Sequence, residues 1–302
     1  MATTSKGTGI KNGGLVLAAA AVPALLTMSH IAGPAASSTT VNPAEIKAAS
    51  CTSNIKTIQD CHDNFPAGCS KSTKPSYDAY LNFMKDQVPD SELLKQPVNL
   101  EKNDFAELDA KTPSKLSTHN HAEFADDLKE MGEGGVRSIV AYLYFSKGNP
   151  GESSNCQLPN AKDGDFHVLV GFDNDVAADV KKAGKSAFTK ELQRRVDENA
   201  IIVEMTPYVR QSQNHTGWDL AVLKKHWGDQ VKVVGQLMID NEHNLKSANC
   251  ALETPPIPAT SKCWRNTVWE LHPVMEFYVC NKANELCTAD SDAGWVALDK
   301  MQ

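Results

Sequence analysis

Three features of the 302-residue chain predict an α+β fold. Beyond Gly134-Gly135, apolar and polar residues alternate in five short runs, the period of half-buried strands. Two stretches of helical spacing interrupt these runs, and a longer helical region precedes them. Five strands with intervening helices over about 150 residues fit a small closed or partly closed barrel of OB type. An α+β sandwich with its helices on one face is the alternative.

From the N-terminus, Lys6 and Lys11 precede the apolar run Leu15 to Leu26, which gives way to the small residues Ala35-Ala36-Ser37-Ser38. That order describes a secretory signal peptide over residues 1–37, with cleavage between about Ser37 and Ala48. An uncleaved membrane anchor is the rival, since the weakly polar stretch from Gly14 to Gly33 approaches the roughly 20 residues that a span requires. Pro23, Ser29 and His30 count against the anchor. Residues 38–72 are rich in Ser, Thr and Cys without periodicity, as in a linker or stapled loop.

Residues 73–134 read as helical. Tyr77, Tyr80, Leu81, Met84 and Val88 fall on one helix face, as do Phe124, Leu128 and Met131. Asn120 with Glu123 resembles a capping box, and Gly132 is placed to end that helix. His119 and His121 then read as polar residues at an exposed helix start.

Residues 135–302 carry the barrel. Its strands are predicted over Val136–Phe145, Phe166–Phe172, Ala200–Thr206, Val231–Ile239 and Asn266–Val279. One helix carries Phe188, Leu192 and Val196, the other Trp218, Val222 and Leu223. Asp173-Asn174-Asp175 lacks the glycine and terminal glutamate of a calcium loop and reads as a turn. Trp218, Trp227, Trp264 and Trp269 read as core or interface anchors rather than stacking platforms.

A net charge of -7 and the lack of any Lys/Arg-rich run argue against non-specific nucleic-acid binding. The eight cysteines all lie beyond the leader, an even set that reads as disulfides in an exported chain. No CxxC spacing suggests a zinc knuckle. Cys250 with Cys263, flanking a proline-rich loop, and Cys280 with Cys287 are plausible local pairs. Cys156 reads as a disulfide partner rather than a nucleophile. GxSxG, P-loop and GxGxxG motifs do not occur, so serine hydrolase, nucleotide hydrolase and dinucleotide enzyme are poorly supported.

Strand parity locates a site. Phe166, Val168, Val170 and Phe172 share one face, leaving His167 on the other; Ile201, Val203 and Met205 likewise leave Glu204 opposite. Thr267, Trp269 and Leu271 alternate with Glu270 and His272. If these strands are neighbours, His167, Glu204, Glu270 and His272 line one outward polar surface, joined by Asp240 and His243 from the end of the fourth strand.

The stretch from about Gly135 to Cys280 resembles a family of uncharacterised exported or membrane-attached bacterial proteins. The resemblance rests on Glu152-Ser153-Ser154-Asn155-Cys156, Asp165-Phe166-His167, Val203-Glu204-Met205-Thr206-Pro207-Tyr208-Val209-Arg210, Gly235-Gln236-Leu237-Met238-Ile239-Asp240-Asn241-Glu242-His243 and Trp269-Glu270-Leu271-His272-Pro273-Val274. It implies an OB-like barrel with a polar, histidine-containing site and no established reaction.

Two functions follow from these residues. In a binding module, Asn155, His167, Glu204, Arg210, Asp240, His243, Glu270 and His272 hold a ligand or an envelope protein. In a metal-dependent hydrolase of phosphoester or nucleic-acid substrates, His167, Asp240, His243 and His272 bind a divalent ion such as zinc or manganese, with Glu204 or Glu270 as base and Arg210 neutralising charge. The binding module is favoured, because no recognised metal spacing such as HExxH occurs. The expected location is periplasmic or secreted, with membrane anchorage by the N-terminal segment as the alternative.

Overall fold

Local capping chemistry fixes the start of most helices. The structure, a computed structural model, describes residues 41–301 apart from 185, 259 and 282–286; the leader reading for residues 1–37 lies outside these. The first helix, α1 (Ile58–Asn64), begins with a reciprocal box in which Thr57 and Asp60 each accept the other's backbone N–H. Asp78 caps α2 (Ala79–Lys85) by accepting from Tyr80 and Leu81. Then follow α3 (Ser91–Leu94), β1 (Val98–Leu100), α4 (Lys102–Lys111) and α5 (Ala125–Glu130), the last entered through a 3-10 turn at His121–Phe124.

The chain then enters β2 (Val136–Asn149) and β3 (Asp165–Gly171). Two helices, α6 (Asn174–Ala183) and α7 (Lys190–Asn199), lead to β4 (Ile201–Met205). Short helices α8 (Pro207–Ser212) and α9 (Leu220–Lys225) precede β5 (Gln230–Ile239), and β6 (Trp269–Cys280) and β7 (Trp295–Ala297) complete the sheet.

The sheet order is β2-β3-β4-β6-β5, and β5 pairs back onto β2, closing a five-stranded barrel. Neighbours in the ring run antiparallel except β4 and β6, which are parallel. The predicted OB-like α+β barrel is thus the fold. Outside the ring, β1 lies parallel to β2 and β7 antiparallel to β6. The register of β5 against β6 shifts around Gly235, where a Cβ would stand 2.7 Å from the Pro273 carbonyl oxygen. Proline cannot donate to a ladder, and a bulge absorbs it.

The principal core unites the barrel with the helical segment ahead of it. Leu100, Phe105, Leu108, Leu116 and Leu128 belong to the same buried cluster as Ile139, Val168, Val203, Val233 and Leu271. Trp269 is fully buried, with its indole N–H donating to Thr112 Oγ1 at 3.0 Å. A smaller cluster of Ile58, Cys61, Cys69, Cys156 and Leu158 joins α1 to the loop after β2.

Four disulfides join Cys51 to Cys69, Cys61 to Cys156, Cys250 to Cys263 and Cys280 to Cys287, leaving no free thiol. The last two are the local pairs expected from sequence. Bridges on this scale point to an oxidising, extracytoplasmic environment. Among the described residues, no helix is long and apolar enough to cross a membrane.

Several local expectations are corrected. Asp173-Asn174-Asp175 is no plain turn: Asp173 caps α6 by accepting from Asp175 and Val176. Asn120 makes no side-chain cap, because its Oδ1 is taken by the backbone N–H of Ser117 at 2.7 Å. His121 is fully buried rather than exposed, wedged between Glu133 Oε2 at 2.9 Å and Asn241 Oδ1 at 2.7 Å. Gly132, in the left-handed region at φ 99°, does follow α5 as predicted.

Candidate functional site

The site grows from the polar faces of β3, β4 and β6. His167 stands opposite Glu204 in the β3–β4 register, and Val203 opposite Leu271 brings Glu204 alongside Glu270 and His272. His167 Nε2 lies 3.3 Å from Glu204 Oε1, while His272 Nδ1 lies 3.4 Å from Glu204 Oε2 and 3.2 Å from Glu270 Oε1. Asp240, at the end of β5, accepts from His243 Nδ1 at 2.6 Å and from Arg265 at 3.2 Å. Arg265 also bonds Glu270 and the Thr267 carbonyl oxygen.

These residues converge, but not on an outward surface. Glu204, Asp240, Glu270, Arg265 and His272 are all buried, and His167 is only 6% exposed. The expectation of an outward polar surface is therefore wrong. The face is covered by the end of α2, the loop after β2 and the segment that follows β5. A pocket of about 290 Å³ remains between them, bordered by Lys85, Glu152, His167, Glu204, Asp240 and Trp264, with His243 at its rim.

The loop that brings Glu152 into this pocket is held from below. Cys61 binds Cys156 covalently, the Cys69 N–H donates to the Ser153 carbonyl oxygen at 2.9 Å, and Asn82 donates to Ser153 Oγ at 2.9 Å. Gly68, at φ 66°, allows this approach: a Cβ there would fall 2.0 Å from the Ser153 carbonyl oxygen. Glu152 Oε1 thereby reaches His167 Nε2 at 3.1 Å. On the other side, Gln236 donates to the Met84 carbonyl oxygen at 3.0 Å and anchors the end of α2 that carries Lys85.

Buried charge dominates the electrostatics. Burial alone would lower the His167 imidazole, but Glu204 and Glu152 beside it raise it to about 10. Burial likewise opposes the Lys85 ammonium, yet Asp240, Glu204, Glu152 and Glu270 hold it well above the ordinary lysine range. Against its own burial, Glu204 is held well below the usual carboxylate range by His167, His272 and Lys85. Asp240 is held down by Lys85, His243 and Arg265 in the same way. Asp165 goes the other way: burial, then Glu152 and Glu204, push its carboxyl well above the usual carboxylate range.

Several buried polar atoms have no hydrogen-bond partner: Glu204 Oε2, Asp240 Oδ1, Asp165 Oδ1, Asn155 Oδ1, His167 Nδ1 and His272 Nε2. They cluster in and behind the pocket, where each calls for a partner. Ligand atoms of Glu152, His167 and Glu204 lie within 4.8 Å of one another, as do those of Asp165, Glu204 and His272 and those of Glu204, Asp240 and Glu270.

The candidate residues thus separate into groups. His167, Glu204, Asp240 and His243 border the pocket. Glu270 and His272 lie behind them, fully buried. Asn155 is buried and donates to Asp165 Oδ2 at 3.1 Å. Arg210 does not join the group: it stacks 3.7 Å from the Phe166 ring centroid and donates to the carbonyl oxygens of Met205, Lys162 and Gly164. It ties α8 to the chain before β3 and is spent as a charge-neutralising group. The proposed metal set of His167, Asp240, His243 and His272 is also not the one assembled, since no set of converging ligand atoms contains His243.

Sequence reasoning missed Lys85, Glu152, Arg265 and the pocket role of Trp264. Glu152 sits in a stretch singled out above, but nothing marked its carboxylate. Trp264 packs against the core as expected, and its partly buried ring also borders the pocket, with Lys147 Nζ 5.5 Å and the Arg265 guanidinium 5.2 Å from its centroid. A second groove of about 680 Å³ runs between α4 and the segment after β5, with Asp109 on its wall. Comparison with protein-family models, with curated proteins and with solved structures found no match.

Proposed function

We propose that this chain is an extracytoplasmic binding module whose pocket takes a small polar ligand bearing positive charge. One observation carries the reading. Glu152, Glu204, Asp240 and Glu242 line the pocket against the fixed cations Lys85 and Lys147, so carboxylates outnumber fixed cations around a space open to solvent, while Glu270 and Arg265 pair behind it. Concentrating negative charge away from water is costly unless a cation compensates it. A volume of about 290 Å³ suits a small molecule or ion rather than a polymer. An envelope protein presenting such a group is the other partner that fits.

In this reading the N-terminal segment is a cleaved signal peptide and the mature protein is periplasmic or secreted, which the mass of the chain recovered from envelope material checks. The likeness to exported or membrane-attached bacterial proteins of OB-like form belongs to the same proposal. Metal-dependent hydrolysis at this site is the second reading, favoured by the convergence of Glu152, His167 and Glu204 with Lys85 alongside, which suits an anionic substrate.

Titration with guanidinium and short diamines, followed by thermal shift and heteronuclear NMR, tests the binding reading. Saturable shifts confined to the pocket and abolished by Glu152→Gln support it. Equal shifts in that variant, or none with any cationic probe including metals, sink it.

A further inference from the structure

We propose that the cation is a divalent first-row transition-metal ion, zinc foremost, held by Glu152 Oε1, Glu204 Oε1 and His167 Nε2 with a fourth position open to the pocket. The inference rests on the binding reading above and specifies its ligand.

Geometry is the first support. His167 Nε2 stands 3.1 Å from Glu152 Oε1 and 3.3 Å from Glu204 Oε1. Tetrahedral coordination with bonds of about 2.0–2.1 Å sets neighbouring ligand atoms about 3.3–3.4 Å apart. The observed separations are close to such an edge.

The second support is the crowding of acceptors at this point. Asn149 Nδ2 lies 3.3 Å from His167 Nε2 and donates to Glu152 Oε1. A hydrogen on Nε2 must be shared between Glu152 Oε1 and Glu204 Oε1, whereas a cation in its place meets both carboxylates and the ring nitrogen at once.

Third, the site is built for more than three ligands. Asp240, 1% exposed, borders the same pocket, and its Oδ1 has no partner because Oδ2 is held by His243 and Arg265. Glu204 Oε2, buried and without a hydrogen bond although His272 Nδ1 stands 3.4 Å away, belongs to a residue that joins Asp240 in the neighbouring ligand set. Charge agrees: a divalent ion with Lys85 and Lys147 balances the four carboxylates that line the pocket, Glu152, Glu204, Asp240 and Glu242, while Arg265 is paired with Glu270. One imidazole with carboxylates favours zinc and its neighbours over calcium or magnesium, which prefer oxygen alone.

The test uses the full oxidised chain, stripped with a chelator and titrated with Zn(II) and Mn(II) against a chromophoric competitor, with Co(II) spectra reporting coordination. One ion per chain is expected, with a Co(II) spectrum of four-coordinate intensity. Glu152→Gln and His167→Asn should each weaken binding by about a hundredfold or more, since even outer partners of metal ligands cost 10–100-fold. His226→Asn, remote from the pocket, should bind as the wild type does. Glu152 lies on a partly exposed loop, so its variant keeps the fold, which circular dichroism checks. Absence of stoichiometric metal overturns the inference while leaving the binding module standing if guanidinium or diamines still bind. Metal retained equally by both ligand variants overturns it by placing the ion elsewhere.

Discussion

Replacing Arg265 with methionine should expose how much of the fold depends on balanced buried charge. Arg265 is fully buried, stands 3.2 Å from Asp240 Oδ2 and bonds Glu270, while its Nε donates to the Thr267 carbonyl oxygen at 2.9 Å. At an effective dielectric near 20, each such pair is worth about 4 kcal/mol in Coulomb energy before desolvation is counted. Removing one member of a buried pair typically costs about 3–5 kcal/mol, because the partner stays buried without compensation. Here two carboxylates lose their guanidinium at once, leaving His243 beside Asp240, His272 beside Glu270 and Lys85 as the fixed counter-charge nearby. We therefore expect Arg265→Met to lose about 3–5 kcal/mol in urea unfolding with disulfides intact. Adding Glu270→Gln should recover part of that loss, since it removes one uncompensated charge, although the same change alone destabilises the wild type. A loss below about 1 kcal/mol, or strictly additive effects in the double variant, would refute the reasoning.

Two further outcomes follow from the structure. Burial, eased in part by the Thr267 hydroxyl and Arg265, raises the Asp109 carboxyl to about 7. Its unfolded value is near 3.8, so the folded state holds the proton more tightly, and stability falls as pH rises from about 4 to 7. Asp109→Asn keeps an acceptor for Thr267 and should gain about 1–2 kcal/mol over the wild type at pH 8 but little at pH 4, after discounting for partial exposure; equal effects at both pH values in denaturant titrations would contradict this. Replacing Cys61 and Cys156 together by alanine opens a bridge across 95 residues and should cost about 2–4 kcal/mol. It should also weaken cation binding by freeing the loop that carries Glu152, and unchanged affinity by calorimetry would show that the loop holds its place unaided.

Alternation along single strands made much of this architecture legible. Val168 and Val170 against His167, and Val203 against Glu204, defined both the strands and the polar face that β3, β4 and β6 share. Parity, however, records which residues lie together, not what covers them. The polar face of this barrel is roofed by α2 and by a loop tied down through Cys61–Cys156 and Gly68, partners distant in sequence and silent in any local pattern. Lys85 was invisible for that reason: it is one lysine at a helix end until Gln236 fixes that end against β5. Arg210 misled in the opposite sense, since a charged residue after a strand looks available until its carbonyl partners are seen. Helix α6 escaped because capping by Asp173 resembles a turn when read alone.

The two N-terminal disulfides interlock, and that has a bearing on how a cell makes this protein. Cys61 lies within the loop closed by Cys51 and Cys69, yet its partner, Cys156, lies far beyond it. A chain oxidised in order of emergence joins its first two cysteines, Cys51 to Cys61, and that bond must be undone. The sulfurs of Cys51, Cys69 and Cys156 lie within 4.8 Å of one another in the folded state, so in-line thiolate attack among them needs little rearrangement. Oxidation in that order therefore requires a thiol–disulfide exchange before the native pairs form, and we expect a shuffling catalyst to speed it. A host supplying only the oxidant should accumulate chains whose non-reducing peptide maps show Cys51 linked to Cys61, whereas native maps from such a host would mean that the fold forms before the first bond closes.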